Sequence, residues 1–169
     1  MTIAFRPMTA GDLPVLHEWL QREHVRRWWT KHETLAEVTE HYLPAIEGRA
    51  TTDLYFIVLD GVASGFIQTY LVSDHRDYQQ LVEVGEGVAG VDLFLAEEQQ
   101  LGRGVGTRVL AQFVRDVVFA VPATRACVAD PDAENRSSLR AFEKAGFFAV
   151  RQFVDPEDGR AHVLMRIDR

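Results

Sequence analysis

Cysteine is almost absent from this 169-residue chain: Cys127 is the only one, so no disulfide can close within the chain and a reducing compartment is the simplest expectation. Lysine is nearly as scarce, with two against sixteen arginines. No segment approaches the roughly 18 apolar residues of a membrane span, and residues 1–12 lack the charged-then-apolar profile of a signal peptide, so a cytoplasmic location is expected. Internal repeats, low-complexity tracts and linkers are missing, and the length suits one domain over residues 1–169. Basic residues are in deficit, 18 against 25 acidic ones. The resulting net charge of −7 argues against nucleic acid and anionic lipid as partners. It suits a cationic one, although mild acidity also serves solubility alone. The apolar fraction of 47% and charged fraction of 25% are those of an ordinary globular protein.

The order of elements emerges from periodicity. A short strand up to Met8 meets Thr9-Ala10-Gly11-Asp12, a turn and helix cap, after which Leu13, Leu16 and Leu20 recur at helical spacing. A second helical turn is expected over His24 to Trp29. Thr34-Leu35-Ala36-Glu37 has the form of a capping box opening a third helix, with Pro44 near its end. Asp53 to Leu59 and Val62 to Leu71 form a hairpin around Asp60-Gly61. Val72 to Gly90 turns polar and is expected to be the longest loop. Val91 to Leu95 is a strand, Gly102 to Thr107 opens a helix running to about Phe119, and Arg125 to Asp130 is another strand. Asn135 to Ala145 is a helix stopped by Gly146, and two strands, Phe147 to Val154 and Ala161 to Ile167, follow.

Chemistry concentrates in two places. Gly102-Arg103-Gly104-Val105-Gly106 opens a helix, where backbone N–H groups and the helix dipole favour anionic oxygens. It is neither a P-loop, lacking Gly-Lys-Ser/Thr, nor a dinucleotide fingerprint, lacking G-x-G-x-x-G. Taken alone, the glycines serve a pyrophosphate cradle or merely a tight turn. Asp92 interrupts the apolar run Val91-Asp92-Leu93-Phe94-Leu95, and alternation places it opposite Val91, Leu93 and Leu95. On pattern alone it is either a solvated strand-end carboxylate or a base. Other chemistries lack their residues: His32-Glu33 is not followed by the second histidine of H-E-x-x-H, no G-x-S-x-G is present, and no metal site is expected.

A strand, then Gly102-x-Gly104-x-Gly106 opening a helix, then a strand and Asn135 leading to Phe142-Glu143-Lys144-Ala145-Gly146-Phe147, resembles the core of the GNAT acetyltransferase superfamily. Leu16-His17-Glu18-Trp19-Leu20, Arg26-Arg27-Trp28-Trp29, His41-Tyr42-Leu43-Pro44, Gly90 to Ala96, Gln100 to Thr107 and Asp130-Pro131 narrow the resemblance to the aminoglycoside 6′-N-acetyltransferases. It implies an α/β fold, with a mixed, mostly antiparallel sheet of about seven strands splayed at the middle and flanked by helices. It also implies acetyl-CoA as cosubstrate, a polycationic amine as acceptor, no nucleic acid or membrane partner, and a monomer or homodimer.

The same resemblance implies roles. Asp92 is implied to be the catalytic base or an electrostatic anchor for the substrate amine. Asp77, Asp130 and Asp158 join it as acceptor carboxylates, and Trp29 and Tyr42 offer flat walls for sugar rings, with core packing as the competing role. Leu93, Leu95, Gln100, Leu101, Gly102, Arg103, Gly104, Val105, Gly106 and Thr107 are implied to hold acetyl-CoA. Asn135 is implied to touch the pantetheine arm, or else caps its helix. One departure stands out: relatives commonly carry a tyrosine where this chain has Phe142, and that phenol protonates the departing thiolate. Ser138, one helical turn earlier, is a weak substitute, and water is another. Two further readings stay open, an acyltransferase for a different amine such as a lysine-derived siderophore precursor or polyamine, and a binding module with little turnover.

Overall fold

The computed structural model describes residues 1–31 and 34–169, so His32 and Glu33, the incomplete H-E-x-x-H start, lie outside the described residues. Seven strands form a mostly antiparallel sheet flanked by helices: β1 (Ile3–Pro7), β2 (Asp53–Leu59), β3 (Val62–Leu71), β4 (Val88–Leu95), β5 (Ala126–Ala129), β6 (Phe148–Val154) and β7 (Ala161–Asp168), in the order β1-β2-β3-β4-β5-β7-β6. Helices are α1 (Leu13–Leu20), α2 (Glu23–Arg26), α3 (Leu35–Ile46), α4 (Arg76–Val82), α5 (Val105–Phe113) and α6 (Arg136–Lys144). Among the described residues, no helix is long and apolar enough to cross a membrane.

The chain divides into two compact units, Met1–Thr69 with Asp92–Gln100, and Tyr70–Val91 with Leu101–Arg169. In the first, Leu16, Trp19 and Leu20 of α1, and Val38 and Tyr42 of α3, bury one helical face each against Phe56, Phe66 and Phe94 from the strands. Thr34 starts α3 with the expected capping box: its hydroxyl accepts from the Glu37 amide at 3.1 Å, and the Glu37 carboxylate accepts from the Thr34 amide at 3.0 Å. Pro44 lies inside the helix without ending it. The β2–β3 hairpin turns on Asp60 and Gly61, both with positive φ (48° and 84°), the twist a two-residue turn needs. Gly65 is dictated by packing, since a Cβ there would lie 2.4 Å from the Phe94 carbonyl oxygen.

In the second unit Val72, Val82, Val88, Ala126, Val128 and Leu164 form one buried apolar cluster. Three expectations are corrected here. The long loop over Val72–Gly90 holds a 3₁₀ turn (Val72–Asp74) and α4, because Tyr78 and Val82 at i, i+4 pack on Val72 beneath an otherwise polar surface. The strand expected at Val91 begins at Val88, and its parallel ladder with β5 joins Val88–Gly90 to Ala126–Val128. Gly90 belongs to this strand and not to a turn, and its lack of a side chain admits the Tyr70 ring, which would lie 2.4 Å from a Cβ. The helix after the glycine loop is regular to Phe113 and continues as a π-helical turn over Val114–Val118.

Candidate active site

In the first unit the strand alternation puts Asp92 on the same face as Phe94 and Ala96, both core residues, so its carboxylate sits half-buried at the margin of an apolar surface. Gln68 of β3 donates from Nε2 to Asp92 Oδ2 at 2.9 Å and fixes the carboxylate's orientation. Tyr42 is 3% exposed, and burial first, then the charge of Asp92, push its phenol well above the ordinary range, so it stays protonated at neutral pH. Trp29 is half-buried and meets the rings of Phe94 and Phe66 edge-on at 5.2 and 5.8 Å, which makes it part of the core margin as well as a surface. The end of β4 is pinned. His24 Nε2 lies 3.1 Å from the Leu95 carbonyl, and Arg22 donates to the Ala96 carbonyl at 2.7 Å and to Glu97 at 2.6 Å. Among the described residues, none hydrogen-bonds the buried Gln100 Oε1.

In the second unit Leu101, Gly102, Arg103 and Gly104 are exposed and lead into half-buried Val105, Gly106 and Thr107. Gly102 and Gly104 have φ of +70° and +77°, and a Cβ on either would meet nothing within 4 Å. Gly104 is the N-cap of α5 and, having no side chain, leaves the helix start without a side-chain cap. Open space before such a helix start is the geometry in which backbone N–H groups receive anionic oxygens. A pyrophosphate therefore fits the residues present. Asn135 caps α6, its Oδ1 accepting from the Ser138 amide at 3.1 Å. Phe142, farther along α6, is 3% exposed and lies edge-on to Phe147 at 5.0 Å.

The second unit also gathers acidic groups. Asp130, just past β5, is half-buried. Its Oδ1 accepts from the Tyr78 hydroxyl at 2.6 Å, and its Oδ2 lies 3.1 Å from His162 Nδ1. Asp158, in the turn between β6 and β7, has Oδ2 2.8 Å from His162 Nε2 and Oδ1 accepting from the Arg160 amide. Burial pushes the Asp158 carboxyl up, but the Arg160 amide, the His162 ring and the charges of both side chains outweigh it and hold the group below its ordinary value. Arg160 pairs with buried Asp132 at 2.8 Å. Asp77 is exposed in the first turn of α4 and has no place in this bonded group.

Sequence reasoning passed over Gln68, Tyr78 and His162. The signal used for Asp92, a polar residue breaking an apolar strand, was present in Ala161-His162-Val163-Leu164-Met165 and points to His162 by the same logic. Gln68 and Tyr78 carried no comparable local signal.

The Acetyltransferase (GNAT) domain family matches residues 9–154. The chain is 36% identical over 166 residues, 96% of its own length and 82% of the relative's, to aminoglycoside N(6′)-acetyltransferase type 1 of Klebsiella pneumoniae. It is similar to the solved structure of aminoglycoside acetyltransferase AAC(6′)-Ib in complex with coenzyme A and kanamycin, with a TM-score of 0.89 at 34% identity over 99% of this chain and 95% of that one. For AAC(6′)-Ib with paromomycin and acetyl-CoA the TM-score is 0.90 at 33% identity, over 100% and 94% of the two chains.

Proposed function

The chain belongs to the GNAT acetyltransferase family, and from that premise we propose that it transfers the acetyl group of acetyl-CoA to the 6′-amino group of aminoglycosides, residues 1–169 acting as one cytoplasmic catalytic domain. The observation that carries the reading is one continuous stretch. Residues 92–107 hold both an oriented carboxylate, Asp92, and an uncapped, glycine-opened helix start, in a chain similar almost end to end to enzymes named for this reaction.

Acetyl-CoA supplies an activated acyl group as a thioester. What the chain must do is hold the amine, remove its proton and receive the anionic end of the cosubstrate. An alkylamine like that of lysine has a pKa of about 10.4, so near neutrality it is mostly ammonium and has no lone pair for attack. Asp92, oriented by Gln68, binds that ammonium through its charge and moves the proton off nitrogen, directly or through water. Gly102, Gly104 and Gly106 let backbone N–H groups approach the pyrophosphate. Asp130 and Asp158 each offer a carboxylate to further ammonium groups of the acceptor, and Asp77 adds long-range attraction from α4. Phe142 carries no proton to give the thiolate. With a thiol pKa near 8.5 the thiolate is a tolerable leaving group, so the step does not need a phenol, and either water or Ser138 supplies the proton.

A screen of free-CoA release over aminoglycosides with and without a 6′-amine tests this. Release is expected with kanamycin and not with an acceptor bearing a 6′-hydroxyl. Release from a polyamine or a lysine derivative in preference to every aminoglycoside would move the acceptor to another class.

A further inference from the structure

His162 stands in β7 at 9% exposure with an acceptor on each side of its ring. Nδ1 lies 2.7 Å from the Asp130 carbonyl oxygen and 3.1 Å from Asp130 Oδ2, while Nε2 lies 2.8 Å from Asp158 Oδ2. Neither a carbonyl nor a carboxylate has a proton to donate, and a neutral imidazole has a single N–H. It would turn a lone pair toward one of these oxygens; only the doubly protonated ring satisfies both sides.

We propose that His162 is a positioning residue for the acceptor: an imidazolium that ties Asp130, at the end of β5, to Asp158, in the β6–β7 turn, and holds the two carboxylates at the spacing that receives ammonium groups. This role rests on the aminoglycoside reading and names a group that fixes its binding carboxylates. Asp158 lies in an exposed turn, where a side chain otherwise samples several rotamers. His162 by contrast is anchored in a buried strand and is flanked by the Phe153 ring at 5.9 Å. Asp130 is clamped from both sides, by Tyr78 of α4 on Oδ1 and by His162 on Oδ2. Each oxygen keeps a second lone pair for an incoming N–H.

The other charged groups around the ring do not displace it. Asp155 Oδ2 is 4.0 Å from Nε2, and Asp132, which bridges to His162 through the backbone, is neutralised by Arg160, itself also 3.4 Å from Glu134. The hydrogen bond to Asp130 most of all, opposed by burial and helped by Asp158, raises the ring's pKa to about 10. The tie is thus complete below the ordinary histidine value of about 6.5, persists through neutrality and is lost as pH rises through about 10.

Charge and position make opposite forecasts for His162→Gln. Removing a cation from among carboxylates makes the cluster more negative, so charge alone tightens polycation binding, whereas loss of the tie weakens it. With kanamycin as acceptor the variant is expected to raise the acceptor KM about tenfold, as for a lost hydrogen bond to a charged group. Its kcat and acetyl-CoA KM should stay within about twofold. An unchanged or lower acceptor KM overturns the proposal.

Nitrogen-15 NMR of the imidazole in the unliganded protein is the second reading: both nitrogens should be protonated at pH 8, and a ring titrating near 6.5 overturns it equally. If His162→Gln does not fold, Asp158→Asn in the exposed turn serves, with the ring pKa expected to fall and the acceptor KM to rise. Failure of the parent protein to acetylate kanamycin would sink the acceptor reading and this role with it, while the ring titration would still report whether the tie exists.

Discussion

Replacing Asp92 by asparagine separates charge from shape. The asparagine carbonyl can still accept from Gln68 Nε2, as Asp92 Oδ2 does at 2.9 Å, so the strand and the side-chain orientation survive while charge and basicity go. Loss of a general base costs about 10²–10⁴-fold in rate, or about 2.7–5.5 kcal/mol of barrier. The pH dependence gives a finer measure. With an amine pKa of about 10.4, the neutral fraction is about 1 in 2,500 at pH 7 and about 1 in 25 at pH 9. A variant that must wait for neutral amine from solution gains about 100-fold in kcat/KM over those two units, and its deficit against the parent shrinks accordingly. That window ends below the loss of the His162 proton near 10, so the acidic group in the second unit keeps its charge throughout. The assay is initial-rate CoA release with kanamycin at half-unit pH steps, beside calorimetry of acetyl-CoA binding, which should be unchanged. Parallel pH profiles, or a variant as fast as the parent at pH 7, would refute the role of Asp92 in proton removal.

Gly104→Val places a side chain in open space at φ +77°, so the protein should fold, with a backbone strain of about 1–2 kcal/mol. Its acetyl-CoA Kd by calorimetry should rise at least about tenfold, as for one lost charged hydrogen bond, and an unchanged Kd would leave the glycines only a turn-forming role. If the proposed acceptor carboxylates, half-buried Asp92 and Asp130 and exposed Asp77 and Asp158, bind it, kanamycin affinity should fall several-fold as salt is raised from low to high concentration. A salt-insensitive Kd would point to recognition by shape and hydroxyl contacts. Phe142→Tyr adds a phenol to a ring that is 3% exposed, and kcat is expected to rise modestly. Comparison of kcat against pH with Ser138→Ala decides the proton donor: collapse of the serine variant would assign the role to Ser138, and no response in either leaves water.

Elements bounded by local chemistry were legible in the chain itself. The 53–71 hairpin follows from Asp60-Gly61 between two runs of strand formers, α3 from the Thr34–Glu37 box, and the start of α5 from its glycines, because each depends on residues within a few positions of one another. Asp92 stood out for the same reason, an acid inside an apolar alternation. Helix α4 was hidden because its three apolar residues, Tyr78, Leu81 and Val82, are too few to show a period, and it is held by packing on Val72. The hydrogen bonds that orient the candidate site join residues 24 to 52 positions apart, Gln68 to Asp92, His162 to Asp130 and Tyr78 to Asp130. No periodicity encodes such pairs. They arise only when strand order and register bring distant side chains within hydrogen-bonding distance, where burial makes an unmatched polar group costly and a matched one fixed in place.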